Sequence, residues 1–225
     1  MIVSRDNERL KLVRKLHDKR WRDKLGLFFV EGEDAIEAAT AQPVDLLRAG
    51  EDVEPKLLAE VASAPHPPRV IGVYRREDLP QWEQRPATLA LWKLADPGNV
   101  GTLIRTADAF GAAVALSDGC ADATSPKSLR ASAGSIWRVP LGTWDDVGGT
   151  RIALEAHRGQ PLGSVDLSGR VAFLLGAERE GLPDEVVRDT DAWIPISGAE
   201  SLNVAVTGAI ALYEWRRQAE THEPG

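Results

Sequence analysis

Cysteine occurs once in the 225-residue chain, at Cys120, and methionine once, at Met1. A single thiol excludes an intramolecular disulfide and a cysteine-based metal cluster. The four histidines, His17, His66, His157 and His222, stand far apart with no ligand spacing such as HExxH, so no metal is expected. No apolar run approaches the roughly 18 residues of a membrane span. The opening MIVSRDNERLKLVRK carries charges where a signal peptide needs an apolar stretch. A cytoplasmic protein with no membrane partner is the expectation. The common nucleotide signatures are missing too. No GxGxxG follows a strand-like run and no GxxxxGK(S/T) occurs, which disfavours a standard dinucleotide site and a P-loop.

What is present is an ordinary globular composition, 43% hydrophobic and 27% charged, enough for one good core or a small domain beside a medium one. The net charge of −7 is unevenly spread. Residues 1 to 24 hold nine Lys or Arg against four acids, a net of +5, and the remainder carries −12. Two readings fit this basic arm: a surface for phosphates, or a solvated amphipathic helix with Leu10, Val13 and Leu16 turned inward.

Helical and strand-like segments alternate throughout, which predicts an α/β fold with a largely parallel sheet. Residues 6 to 20, Glu33 to Ala41 and Pro55 to Ala64 read as helices. Leu27 to Val30, Val44 to Arg48 and Val70 to Tyr74 read as strands. Two prolines within Leu79 to Pro86 then mark a boundary, dividing the chain into a small domain, 1–84, and a larger one, 85–225. In the larger domain the strands are Thr88 to Leu94, Ala113 to Ser117, Ile152 to Ala156 and Val171 to Leu175. A helix runs from about Asn99, its expected cap, to Phe110, and Ser125-Pro126 starts another reaching about Ala133. A long apolar helix from Leu202 to about Arg217 and a short polar tail close the chain.

Ligands of open α/β sheets bind at the carboxyl ends of strands. Three glycine-containing loops fall there: Asp96 to Asn99, Gly176 to Gly181 and Pro195 to Asn203. Asn203 and Thr207 are the only polar side chains between Leu202 and Leu212, and they share one helix face. Polar groups on a buried helix need partners, and a ligand is one. Arg105, three residues from Thr102 on the expected helix, is either a functional cation or the ion-pair partner of Asp108.

NVGTLIRTADAFG (99–111), FLLGAEREGLP (173–183) and IPISGAESLNVAVTGAIALYEW (194–215) together resemble the three ordered motifs of the SpoU (TrmH-like) RNA 2′-O-methyltransferases. The resemblance covers Thr88 to Arg217. SPKSLRASAGS (125–135) also looks like the family's segment between the first two motifs. Ser4 to Ala39, with FFVEG at 28–32, is similar to the start of the small RNA-binding domain that many members carry.

The resemblance implies a C-terminal SPOUT methyltransferase domain tied in a trefoil knot, with a mostly parallel sheet, preceded by a small α/β RNA-binding domain. It implies S-adenosyl-L-methionine as cofactor and a homodimer with sites near the subunit interface. By motif position, Asn99, Arg105, Glu178, Ser201 and Asn203 are the implied catalytic residues. Gly176, Ile194, Ile196 and Leu202 fall where the family wraps its backbone around the cofactor. Thr207 matches no such position and is assigned to packing. Ala205 departs from the family, many members having serine there.

The implied reaction is transfer of a methyl group to a ribose 2′-hydroxyl of RNA, ribosomal RNA first and transfer RNA second. The competing reading is an RNA-binding assembly factor that keeps the fold without catalysis; the intact polar set argues against it. A methyltransferase of another fold would need a glycine-rich nucleotide loop near the start of the larger domain, and none is present.

Overall fold

The computed structural model describes residues 1–64 and 66–222, the side chain of His222 excepted. The polar tail beyond it lies outside the described residues.

Asn7 opens the first helix, α1 (Glu8–Leu16), by accepting the Arg9 N–H with its side chain, and Leu10, Val13 and Leu16 line its buried face as expected. The single helix predicted over residues 6 to 20 is two helices. Asp18 interrupts it because its side chain caps a new one, α2 (Lys19–Leu25), at the Arg20 N–H. Strand β1 (Leu27–Glu31), helix α3 (Glu33–Glu37), strand β2 (Asp45–Arg48), helix α4 (Pro55–Val61) and strand β3 (Val70–Arg75) complete the small unit.

Its sheet has the order β1-β3-β2 and is antiparallel, so the expected parallel pairing does not hold in this part of the chain. Side chains alternate across these strands. Phe29, Ile71 and Val73 face a core with α1 and α4, whereas Phe28, Val30 and Tyr74 face the larger unit.

The larger sheet is parallel throughout. Its strands are β4 (Ala87–Leu91), β5 (Ala113–Leu116), β6 (Leu141–Thr143), β7 (Thr150–Leu154), β8 (Gln160–Pro161), β9 (Val171–Leu175) and β10 (Thr190–Trp193), in the order β6-β5-β4-β9-β7-β10-β8. One face carries Leu89, Leu91, Val114, Ile152 and Phe173 against the helices α5 (Pro97–Phe110) and α7 (Val204–His222). Close approach needs glycine here. A Cβ on Gly101 would collide with the carbonyl oxygen of Ser128 in α6 (Pro126–Ser132), and one on Gly208 would collide with Leu103.

The opposite face is paved with small residues, Ala90, Ala115, Ala153 and Ala172, and Trp82, Trp92 and Trp144 pack against that layer. Gly142 makes room for the Trp82 ring, which a Cβ would strike.

The two sheets divide the chain between Arg75 and Ala87, yet their units are pinned together. Phe28, Tyr74 and Trp137 form one aromatic cluster, with ring centroids 4.7 to 6.0 Å apart. Glu31, almost wholly buried, accepts the Ser63 N–H and pairs with Arg130 of α6. Asp122, beyond β5, accepts Arg22 Nε at 2.8 Å and Arg76 Nη2 at 2.8 Å. Arg22 Nη1 also donates to the carbonyls of Leu16 and His17, closing the end of α1.

Burial by itself would push the Asp122 carboxyl upward. Arg76, the Thr124 hydrogen bonds and Arg22 outweigh it and hold the group below the usual carboxylate range. A depressed folded value stabilises above the unfolded value, near pH 4, and that contribution is lost as pH falls through the folded one. The thermal midpoint should therefore drop as pH is lowered below about 4. Asp122→Asn should flatten that drop, and equal slopes for the two proteins would refute the assignment.

Candidate functional site

The loops after β7, β9 and β10 and the start of α7 enclose a cleft of about 510 Å³. This lies within the roughly 300–1,000 Å³ of small-molecule sites. Gly176, Ile194, Ile196 and Leu202 line it, as do Glu178, Ser201, Asn203 and Thr207. Thr207, expected to serve packing, also lines the cleft. Its hydroxyl donates to the Asn203 carbonyl at 3.2 Å while the residue faces the cleft. Leu154, Glu155 and Ala156 are lining residues with no sequence signal, since β7 reaches the cleft only through sheet order.

Backbone shapes this cavity. A Cβ on Gly176 would strike the Gly181 carbonyl, because Ala177 and Gly181 bridge and fold the end of β9 back on itself. Ile194, Ile196, Leu202 and Val204 give apolar walls, and the loops present main-chain donors and acceptors. Such a cavity fits an adenosine-like group, a flat apolar ring with hydrogen-bonding edges, and needs few charged residues.

Asn99 does not cap α5 as expected. Asp96 does, accepting the N–H groups of Gly98 and Asn99 at 2.6 and 3.0 Å, and Pro97 takes the first helical position. Lys127 and those two N–H groups hold the Asp96 carboxyl below its ordinary range. The Asn99 side chain is thereby free for other partners. Its Nδ2 donates to Glu178 Oε1 at 3.0 Å, and its Oδ1 accepts from Asn203 Nδ2 at 3.2 Å.

Asn203 Oδ1 in turn accepts the Ala205 N–H at 2.9 Å, capping α7. The cap sets the orientation of the whole chain of side chains. With its oxygen committed to the helix, Asn203 must offer its amide N–H₂ to Asn99, which must offer its own to Glu178. Three residues separated by up to 104 positions thus form one polar line at the cleft. Ser201 lines the cleft with no hydrogen-bond partner among the described residues. Ala205 is buried and lines the adjoining groove instead, so its missing hydroxyl concerns packing rather than the cleft.

Arg105 is exposed on α5, lines neither cavity and has no ion pair among the described residues. Asp108, its expected bland partner, belongs to Arg138, with Nη2 to Oδ2 at 2.6 Å. Beside Arg105, a groove of about 430 Å³ between α5 and α7 is lined by Thr102, Thr106, Val206, Ala209, Ile210 and Tyr213. Val206 and Tyr213 are largely exposed there, an apolar face on a helix whose other side is core.

Residues 86–213 match the model of the SpoU rRNA Methylase family, more than half of the chain. The chain belongs to that family. This SpoU methylase is 33% identical to the 23S rRNA (guanosine(2553)-2′-O)-methyltransferase of Bacillus subtilis, over 96% of this chain and 98% of that one. It is 30% identical to the 23S rRNA (guanosine-2′-O-)-methyltransferase of Acinetobacter baylyi, over 86% and 89%.

Among solved structures, the AdoMet-bound rRNA methyltransferase of Sinorhizobium meliloti superposes with a TM-score of 0.85 at 29% identity, over 96% of this chain and 97% of that chain. The SpoU methyltransferase AviRb of Streptomyces viridochromogenes, in complex with AdoMet, superposes with a TM-score of 0.82 at 26% identity, over 96% and 100%. The larger unit thus has the SPOUT fold of these methyltransferases; in it the chain passes from β9 across β7 to β10, and α7 then packs against β9 and β4. Among the described residues no helix is long and apolar enough to cross a membrane.

Proposed function

We propose that this SpoU methylase transfers a methyl group from S-adenosylmethionine to a ribose 2′-hydroxyl of ribosomal RNA, as a cytoplasmic homodimer. The observation that carries the reading is the cleft with the Glu178–Asn99–Asn203 line beside it and Arg105 outside it, without an ion pair among the described residues. S-adenosylmethionine supplies, when bound, a sulfonium methyl that is already electrophilic. Gly176, Ile194, Ile196 and Leu202 would hold it.

The protein's remaining task is to set the 2′-hydroxyl in line and assist loss of its proton. A guanidinium stays protonated and makes a poor base. Arg105 instead grips the phosphate beside the target ribose bidentately, and that phosphate or a polarised neighbour takes the hydroxyl proton. Glu178, Asn99, Ser201 and Asn203 are assigned to orienting that arginine and the loops around it. Since Arg105 lies outside its own chain's cleft, it serves the cleft of a second copy seated on the α5–α7 groove. The need for a 2′-hydroxyl selects RNA over DNA.

The small unit is assigned to holding RNA, though with fewer free cations than the composition suggests. Many of those in the basic arm pair internally: Arg5 with Glu60, Arg9 with Asp45, Lys11 with Glu8, Lys19 with Asp23 and Arg22 with Asp122. Arg14, Lys15, Arg20 and Lys24 have no carboxylate in range among the described residues, and the ammonium groups of Lys15 and Lys24 both lie 5.1 Å from the Trp21 ring.

Methyl-labelled cofactor incubated with ribosomal and transfer RNA, followed by mapping of alkali-resistant linkages, tests the reading. Label at a single linkage of ribosomal RNA is the expected result. Binding of S-adenosylmethionine and RNA with no transfer to either would establish the non-enzymatic assembly factor instead.

A further inference from the structure

Lys93 is one of two non-glycine residues with positive φ among the described residues, at +50°. Glycine or asparagine adopts this conformation readily and lysine does not. The position is tightly held. The Lys93 N–H donates to Ser117 Oγ at 2.9 Å, and the preceding Trp92 N–H donates to the Leu175 carbonyl at 2.8 Å. Leu175 lines the cleft, so Lys93 stands one strand end away from it, where β4 emerges beside β9.

The side chain is exposed, and its stem runs past Gly119, where a Cβ would stand 3.3 Å from Lys93 Cγ. The ammonium lies 5.4 Å from the Trp92 ring centroid, and Trp144 buttresses that ring edge-on at 4.9 Å. No carboxylate among the described residues pairs with Lys93. Asp118 on the adjoining turn does not reach it, and Asp96 is taken by Lys127 at 2.8 Å. A cation is therefore aimed from a strained backbone, propped on an indole and left without a counter-charge at the carboxyl end of β4, on the side of that strand facing β5. Strain of this kind persists where the surroundings over-determine it and collects at functional sites.

We propose that Lys93 binds a backbone phosphate of the RNA strand flanking the target nucleotide, with Trp92 and Trp144 as the shelf that positions its ammonium group. This rests on the RNA methyltransferase reading above and adds a contact that Arg105 does not make. Lys93→Gly is the informative variant, because it removes the cation while relieving the backbone. Its Tm should equal or exceed that of the parent, with affinity for S-adenosylmethionine unchanged. Its KM for RNA should rise about tenfold, the scale of one charge-assisted hydrogen bond. The salt slope of RNA binding should shrink by about 0.7. Lys93→Glu should weaken RNA binding further, and Lys93→Arg should restore it.

A KM within twofold of the parent for both Lys93→Gly and Lys93→Glu, in a protein that methylates RNA, overturns this proposal and leaves the enzyme reading standing. A Lys93-dependent salt slope in a protein that transfers no methyl group supports the subsite and overturns the enzyme reading. A falling Tm in Lys93→Gly with unaltered RNA binding would make the residue structural and refute the subsite.

Discussion

Arg105→Ala is expected to lower methyl transfer by at least about 100-fold, the range seen when one transition-state donor is removed. Affinity for S-adenosylmethionine should stay within about twofold, because Arg105 lines no part of the cleft. The side chain has nothing to lose structurally, being exposed and without an ion pair among the described residues, with Asp108 committed to Arg138. The fold should therefore survive and the loss should reside in turnover. Activity within tenfold of the parent would exclude the role.

Mixing makes the location testable as well. An Arg105→Ala chain keeps a sound cleft, and a Gly176→Val chain keeps a sound arginine while its cleft is obstructed. If Arg105 works across a two-fold dimer, co-refolded mixtures should recover about a quarter of the parent activity, from heterodimers with one competent site. No recovery would place Arg105 in its own chain's site.

Asp122→Ala should cost about 3–5 kcal/mol, because it leaves a buried guanidinium without its counter-charge. The Arg22 side chain is only 4% exposed, and Asp122 also binds Arg76, so one substitution strips both contacts. For a chain of this size the thermal midpoint should fall by about 6–20 °C. The loss should appear first as separation of the small unit, since Asp122 joins α2 and the end of β3 to the loop leading into α6. Limited proteolysis between Arg75 and Ala87 should accelerate accordingly. A cost below about 1 kcal/mol would show the pair to be as dispensable as a surface ion pair.

How much of this is legible in the residues depends on how local the cause is. Val171–Leu175 is readable because a strand buried on both faces is a continuous apolar run, and Ser125-Pro126 because a helix start is a local event. The strand β10 is not, since TDAW has neither alternation nor an apolar run and owes its pairing to β7. Nor are the two- and three-residue strands β8 and β6, which carry too few residues to show a period. Antiparallel pairing in the small unit is a matter of long-range partners and escapes any reading of segment order.

At the site, motif positions lead to the residues lining the cleft, but the direction of the Asn203 to Glu178 line depends on a cap that only the folded helix provides. Asn99 is misread as the cap of α5 because Asp96-Pro97 offers a better one three residues earlier.

The order of the large sheet also dictates an order of assembly. Strand β7 is made before β9 and β10, yet its two neighbours in the sheet are those later strands. At synthesis β7 has nowhere to pair, and the middle of the sheet stays open until β9, ending at Leu175, joins β4 to β7. Every wall of the cleft comes from the ends of β7, β9 and β10 and from α7, whose seat beneath β4 and β9 is taken last. Non-local closure of this kind is slow. The capacity to bind a ligand in the cleft is thus the final property the chain acquires on folding, and a nascent chain lacking α7 has a sheet but no site.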